Sequence, residues 1–88
     1  MPTPRIVWVT GASSGIGRAV AEEFASHGDT VAATARTLSN LTTLQSQLGS
    51  SSGSCTVFRC DVTDEEQVQA TAGAILSKFG GIDILINN

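Results

Sequence analysis

Tyrosine is missing from these 88 residues, and lysine occurs once, at Lys78. No phenol is therefore at hand for acid–base chemistry. Arg5, Arg18, Arg36, Arg59 and Lys78 are scattered singly, and the net charge is −3. That pattern offers no basic face to nucleic acid or to an acidic membrane surface. Long apolar runs are absent too. Met1-Pro2-Thr3-Pro4-Arg5 leads straight into a run too short to cross a bilayer, and no signal peptide is expected. A soluble, cytoplasmic protein is the expectation. Cys55 and Cys60 are the only cysteines. On one extended strand, at about 3.3 Å per residue, their Cα atoms would stand about 16 Å apart, beyond disulfide reach. They read as reduced core or strand-end thiols, in keeping with a reducing compartment. A reactive Cys60 would need a His or Lys partner, and none is visible. No metal site is expected.

What is present is enough to build a core. Hydrophobic residues make up 41% and charged residues 15%, which places residues 1–88 as one small domain. Arg5 to Val9 is a β-branched apolar run, read as a strand buried on both faces. Gly15 to His27 reads as a helix, with Ile16, Ala19, Val20 and Phe24 at helical spacing and Gly28 as its stop. Thr30 to Ala35 is a second strand. Leu38, Leu41, Leu44 and Leu48 form the stripe of a second helix, and Gly49 to Ser54 reads as a solvated loop. Cys55 to Cys60 is a third strand. Thr63 and Glu66 fit a capping box at the start of a third helix, lined by Val68, Ala72, Ile75, Leu76 and Phe79 and stopped by Gly80-Gly81. Ile82 to Asn87 is a fourth strand. Helix-length crossovers between strands imply an open parallel sheet of the α/β class.

The chemistry lies at the first strand–helix turn, Thr10-Gly11-Ala12-Ser13-Ser14-Gly15-Ile16-Gly17. A helix begins with unpaired N–H groups and the positive end of its dipole, which together suit a phosphate. Gly11 allows the chain to leave the strand, Gly15 allows a pyrophosphate to approach the backbone, and Gly17 allows close packing of the helix. Other residues read plainly. Trp8 belongs to the core, His27 sits near a helix C-terminus, Asp83 is a turn residue, and Asp29 precedes its strand, at the end away from the turn.

The turn resembles the cofactor motif T-G-x-x-x-G-x-G of the short-chain dehydrogenase/reductase family. Ala35-Arg36, Asp61-Val62 and Asn87-Asn88 follow in the family's order at the ends of strands two, three and four. Asn87-Asn88 is similar to the start of the family's N-N-A-G motif. The resemblance implies a Rossmann-type sheet in strand order 3-2-1-4 with three crossover helices. It implies a dinucleotide site built from Gly11, Ser13, Ser14, Gly15, Ile16, Gly17, Arg36, Thr37, Asp61, Val62, Asn87 and Asn88. In such folds an acid at the tip of strand two bonds the ribose 2′-hydroxyl of NAD and repels the 2′-phosphate of NADP. Ala35 stands at that place and Arg36 follows, with Thr37 adding a hydroxyl; a guanidinium there can pair a phosphate in two places. NADP is therefore expected over NAD. Many NADP-preferring relatives carry a second basic residue inside the glycine turn, where this chain has Ser13 and Ser14. By the same resemblance Asp61 accepts from the adenine amino group, Val62 helps to position the ring, and Asn87 and Asn88 border the ribose.

Members of the family move a hydride between NAD(P) and an alcohol or carbonyl, using a Ser and a Y-x-x-x-K pair downstream of N-N-A-G. That set is not among these residues, so no catalytic residue is assigned. The expectation is the amino-terminal, NADP-binding part of such an oxidoreductase, whose whole would act on a small-molecule substrate and could be a homo-oligomer. The alternative is a truncated, catalytically inactive nucleotide-binding remnant. The extended sugar-nucleotide epimerases fit less well, because their T-G-x-x-G-x-x-G spacing does not match Gly11, Gly15 and Gly17. With a single helix on its second face and strand four at an edge, the isolated chain is expected to be marginally stable and prone to aggregate.

Overall fold

The structure is a computed structural model that describes residues 4–12, 15–37, 42–43, 45–46 and 54–88. Its elements are β1 (Ile6–Val9), α1 (Gly15–Ser26), β2 (Thr30–Ala35), β3 (Ser54–Arg59), α2 (Glu65–Phe79) and β4 (Ile84–Ile86). The four strands form one sheet in the order β3-β2-β1-β4, and every neighbouring pair is parallel. This is the order and class that the sequence implies. Of the second expected helix, Thr42, Thr43, Gln45 and Ser46 are helical. Its leucine stripe, like most of the loop after it, lies outside the described residues.

Alternation along the strands sorts the core into two layers. Val7, Val9, Val31, Ala33 and Ala35 point to one face, where Ala21 and Ala25 of α1 cover them. Trp8 and Ala32 point to the other, under Ile75 of α2, with Phe58, Val68, Ala72 and Phe79 packed around them. Small alanines in both β2 and α1 let helix and sheet approach closely, which is how so short a chain excludes water from its centre. Trp8 is core, as expected. Its indole Nε1 donates to the buried Thr34 hydroxyl at 3.0 Å, and that hydroxyl lies 3.3 Å from the Val9 carbonyl. The polar edge of the ring is thereby satisfied.

Besides one-residue differences at the start of β1 and the end of α1, the boundaries differ from expectation in three places. The α2 cap is Asp64, not Thr63. The Thr63 hydroxyl is drawn 2.6 Å from Asp61 Oδ1, so Asp64 Oδ1 accepts from the backbone of Glu66 and Gln67 instead. The capping residues are thus shifted by one position, with Gln67 rather than Glu66 reaching back, to Asp64 and to the Asp61 backbone N–H. Strand β3 begins at Ser54 and ends at Arg59, one residue earlier at each end than expected. Strand β4 is shorter than Ile82–Asn87, because side chains end it on both sides. Asp83 Oδ2 takes the Ile6 N–H at 2.7 Å before the strand starts, and Asn87 and Asn88 turn to Thr10 after it stops.

The end of the sheet away from the turn is tied by charge. Arg5 donates to both oxygens of the buried Asp29, from Nε at 3.2 Å and from a terminal nitrogen at 2.9 Å, and its backbone N–H adds a third bond. These bonds hold the Asp29 carboxyl below the usual carboxylate range, against the opposing effect of burial. Asp29 is a structural residue at the opposite end of β2 from the glycine turn. Strand β4 lies at one edge of the sheet among the described residues, and its Leu85 is 55% exposed. No described helix is long and apolar enough to cross a membrane.

Candidate cofactor site

All four strands release the chain at the same end of the sheet, and a cleft of about 540 Å³ opens there. Gly11 borders it from the β1 tip and Asn88 from the β4 tip. Ala35, Arg36 and Thr37 come from β2, and Cys60, Asp61, Val62 and Thr63 from β3. The strand order reverses between β1 and β4, where open parallel sheets hold their ligands.

The glycine turn is shaped by two backbone demands and one steric one. Gly11 and Gly15 have φ of +60° and +61°, a region that L side chains rarely adopt. No described atom lies within 4 Å of where a Gly15 side chain would start, so the backbone at the head of α1 is open to an approaching group. Gly17 is different. A Cβ there would stand 2.1 Å from the Gly11 carbonyl oxygen and 2.7 Å from Asn88 Nδ2. The helix can pack against the turn only because that atom is missing.

Asparagine locks the turn to β4. Asn88 Nδ2 donates to the Gly11 carbonyl at 3.2 Å, and its backbone N–H donates to Thr10 Oγ1 at 3.0 Å. The Thr10 hydroxyl, which can donate once, lies 3.3 Å from both the Ile86 carbonyl and Asn87 Oδ1. Asn88 therefore borders the cleft, while Asn87 braces Thr10 beside it.

Across the cleft, Asp61 Oδ1 accepts from the Thr63 backbone at 3.0 Å as well as from its hydroxyl. Those two bonds, followed by the fields of Arg36 and Arg59, hold the Asp61 carboxyl below its ordinary value. It is an anion at neutral pH, and it accepts rather than donates. Arg36 is exposed, and its guanidinium makes no hydrogen bond among the described residues. Cys60 is buried in the cleft wall, and Cys55, near the other end of β3, has its thiol pushed up by burial to about 11. Both are free thiols, and Cys55 is far from thiolate at neutral pH. Among the described residues no group of acids, histidines and cysteines could hold a metal ion.

Six of the expected site residues thus line one cleft: Gly11, Arg36, Thr37, Asp61, Val62 and Asn88. Gly15, Ile16 and Gly17 form the head of α1, and Ser13 and Ser14 lie outside the described residues. Thr63 was missed as a site residue. The spacing Asp61-x-Thr63, a carboxylate two residues before a hydroxyl, was the available signal, since such pairs close local turns.

A family model described as short chain dehydrogenase matches residues 5–88. The chain belongs to the short-chain dehydrogenase/reductase family. D-threitol dehydrogenase of Mycolicibacterium smegmatis is 43% identical over 84 residues, which is 96% of this chain and 32% of that protein. The L-sorbose reductase of Gluconobacter frateurii, solved with NADPH and L-sorbose, superposes with a TM-score of 0.91 at 36% identity. That match covers 98% of this chain and 33% of the reductase. A metagenomic short-chain oxidoreductase solved with NADP superposes at 0.88 with 32% identity, covering 92% and 37%. The chain spans about a third of the length of these relatives, and it corresponds to the amino-terminal part of the family fold.

Proposed function

We propose that these residues build the adenosine end of an NADP site, in an oxidoreductase that moves hydride between NADP(H) and an alcohol or carbonyl of a small-molecule substrate. The observation that carries this reading is the tip of β2. Ala35 and Arg36 line the cleft at the place where an NAD-type acid would stand, and the Arg36 guanidinium is free to pair a phosphate. The remaining residues suit the same group. The open backbone at Gly15 and the head of α1 would take the pyrophosphate, with Ile16 and Gly17 setting the start of the helix. Asp61, held as an acceptor, would take the adenine amino group, with Val62 against the ring. Asn88, with Asn87 behind it, would border the ribose, and Thr37 would add a hydroxyl near Arg36. Ser13 and Ser14 belong to this proposal by their place in the motif. NADP(H) supplies or takes up the hydride, and these 88 residues bind and orient it.

The test uses two probes that differ by one phosphate, 2′,5′-ADP and 5′-AMP. The chain should bind 2′,5′-ADP at least about tenfold more tightly, the equivalent of ~1.4 kcal/mol, and Arg36→Ala should remove most of that ratio. An unchanged ratio in Arg36→Ala would overturn the cofactor assignment.

A further inference from the structure

Arg36 is the first residue after β2 and its ladder with β3. The last pair in register is Ala35 with Arg59, followed by one bond from the Cys60 N–H to the Ala35 carbonyl at 2.9 Å. Beyond that bond, the described tie between Arg36 and β3 is a side chain. Arg59 Nε donates to the Arg36 carbonyl at 3.1 Å. We propose that Arg59 is a positioning residue for phosphate recognition, fixing the β2 turn so that Arg36 presents its guanidinium to the ribose 2′-phosphate. The proposal rests on the NADP reading above and adds to it a residue that the motif does not contain.

Two features support this role. First, the bond uses Nε and so leaves both terminal nitrogens of Arg59 as further donors beside Arg36. Second, the arrangement places two guanidinium groups at one rim of the cleft, both exposed, with Asp61 as the carboxylate that feels both. Two cations against one anion leave an excess positive charge, which a further anion at this rim would offset. Anchoring also matters in its own right. An exposed arginine on a free turn loses side-chain and backbone freedom when it binds, and a turn already held loses less.

A double-mutant cycle separates this role from a purely structural one. The ratio of 2′,5′-ADP to 5′-AMP affinity is measured for the parent chain, Arg59→Ala, Arg36→Ala and the pair. In Arg59→Ala the ratio should fall about fivefold, the equivalent of one net hydrogen bond, while 5′-AMP affinity stays level with the parent. In the Arg36→Ala background the same change should have a much smaller effect, the remainder left by the Arg59 charge, because Arg59 acts mainly through Arg36. Equal losses for both probes would mean that Arg59 only supports the fold, and an equal loss in both backgrounds would mean that it acts alone; either overturns the proposal. Should Arg59→Ala fail to fold, Arg59→Met, which keeps the stem and removes the donor, carries the same cycle. If Arg36→Ala leaves the ratio untouched, the NADP reading itself fails, an outcome distinct from the failure of Arg59.

Discussion

Gly17 offers a sharp test of how the site is held together. In Gly17→Ala the new methyl carbon would start 2.1 Å from the Gly11 carbonyl oxygen and 2.8 Å from its carbon. A comfortable carbon–oxygen contact is about 3.3 Å, so the helix and the turn must part by about 1.2 Å. These two obstacles are backbone and cannot swing away; the third, the Asn88 side-chain nitrogen at 2.7 Å, would have to move off the turn as well. Overpacking of this kind costs about 3 kcal/mol at the upper end of its usual range. Alanine recovers about 1 kcal/mol in a helix, leaving a net loss of ~2 kcal/mol. For a domain of this size that lowers the melting temperature by about 8–16 °C. Gly15→Ala is the matched control. It meets no described atom within 4 Å, so its cost comes from the backbone at φ +61° alone, about 1–2 kcal/mol. The two variants separate when Asn is tried. Gly15→Asn should recover part of the loss, because asparagine tolerates positive φ, while Gly17→Asn should be worse than Gly17→Ala. Circular dichroism melts and 2′,5′-ADP titrations check both series. A Gly17→Ala chain that melts with the parent and binds as well would refute the close contact between α1 and the turn.

Two further substitutions probe the frame. Asp29 has a depressed carboxyl pKa when folded, so the Arg5–Asp29 pair contributes fully above the unfolded value of 3.8, and that contribution is lost as pH falls through the folded value. Stability measured by urea titration from pH 6 to pH 2 should therefore fall less steeply in Asp29→Asn than in the parent; parallel curves would count against the pair. Asp64→Ala removes the α2 cap, which should cost about 1 kcal/mol, whereas Thr63→Ala should leave the cap in place; equal helix loss in both variants, read by urea titration, would put the cap back at Thr63.

The parallel α/β class was legible because helix-length crossovers separate the strands, and the order 3-2-1-4 because the motifs at the strand ends resemble those of the family; neither depends on a small shift of boundary. Ala35 next to Arg36 was legible for a different reason, since the end of a strand fixes where a side chain must stand. The α2 cap was not. Thr63 and Asp64 are both acceptable N-caps, and only the competing Asp61 carboxylate decides between them. The Arg5–Asp29 tie was hidden in the same way, because its partners are distant in sequence and meet only once β1 and β2 pair. Strand β4 was overestimated because apolar character continues through Ile82, while side chains stop the ladder: that of Asp83 takes the Ile6 N–H, and the Thr10 hydroxyl takes the Asn88 N–H and meets Asn87 Oδ1. Arg59 carries no motif at all, and its tie to Arg36 exists only because β3 lies beside β2.

Asn88 closes on Thr10 and Gly11 across 77 to 78 positions of chain. On a ribosome the glycine turn is made almost first, and β2 can brace it early through the Ala12 N–H and the Thr34 carbonyl, yet its β4 side stays open until residue 88 has left the exit tunnel and β4 has paired with β1. Contacts of such long range form late, because the intervening chain must be ordered before they can help. On the NADP reading proposed above, a cofactor would favour molecules whose β4 has already arrived, since Asn88 borders the cleft only then.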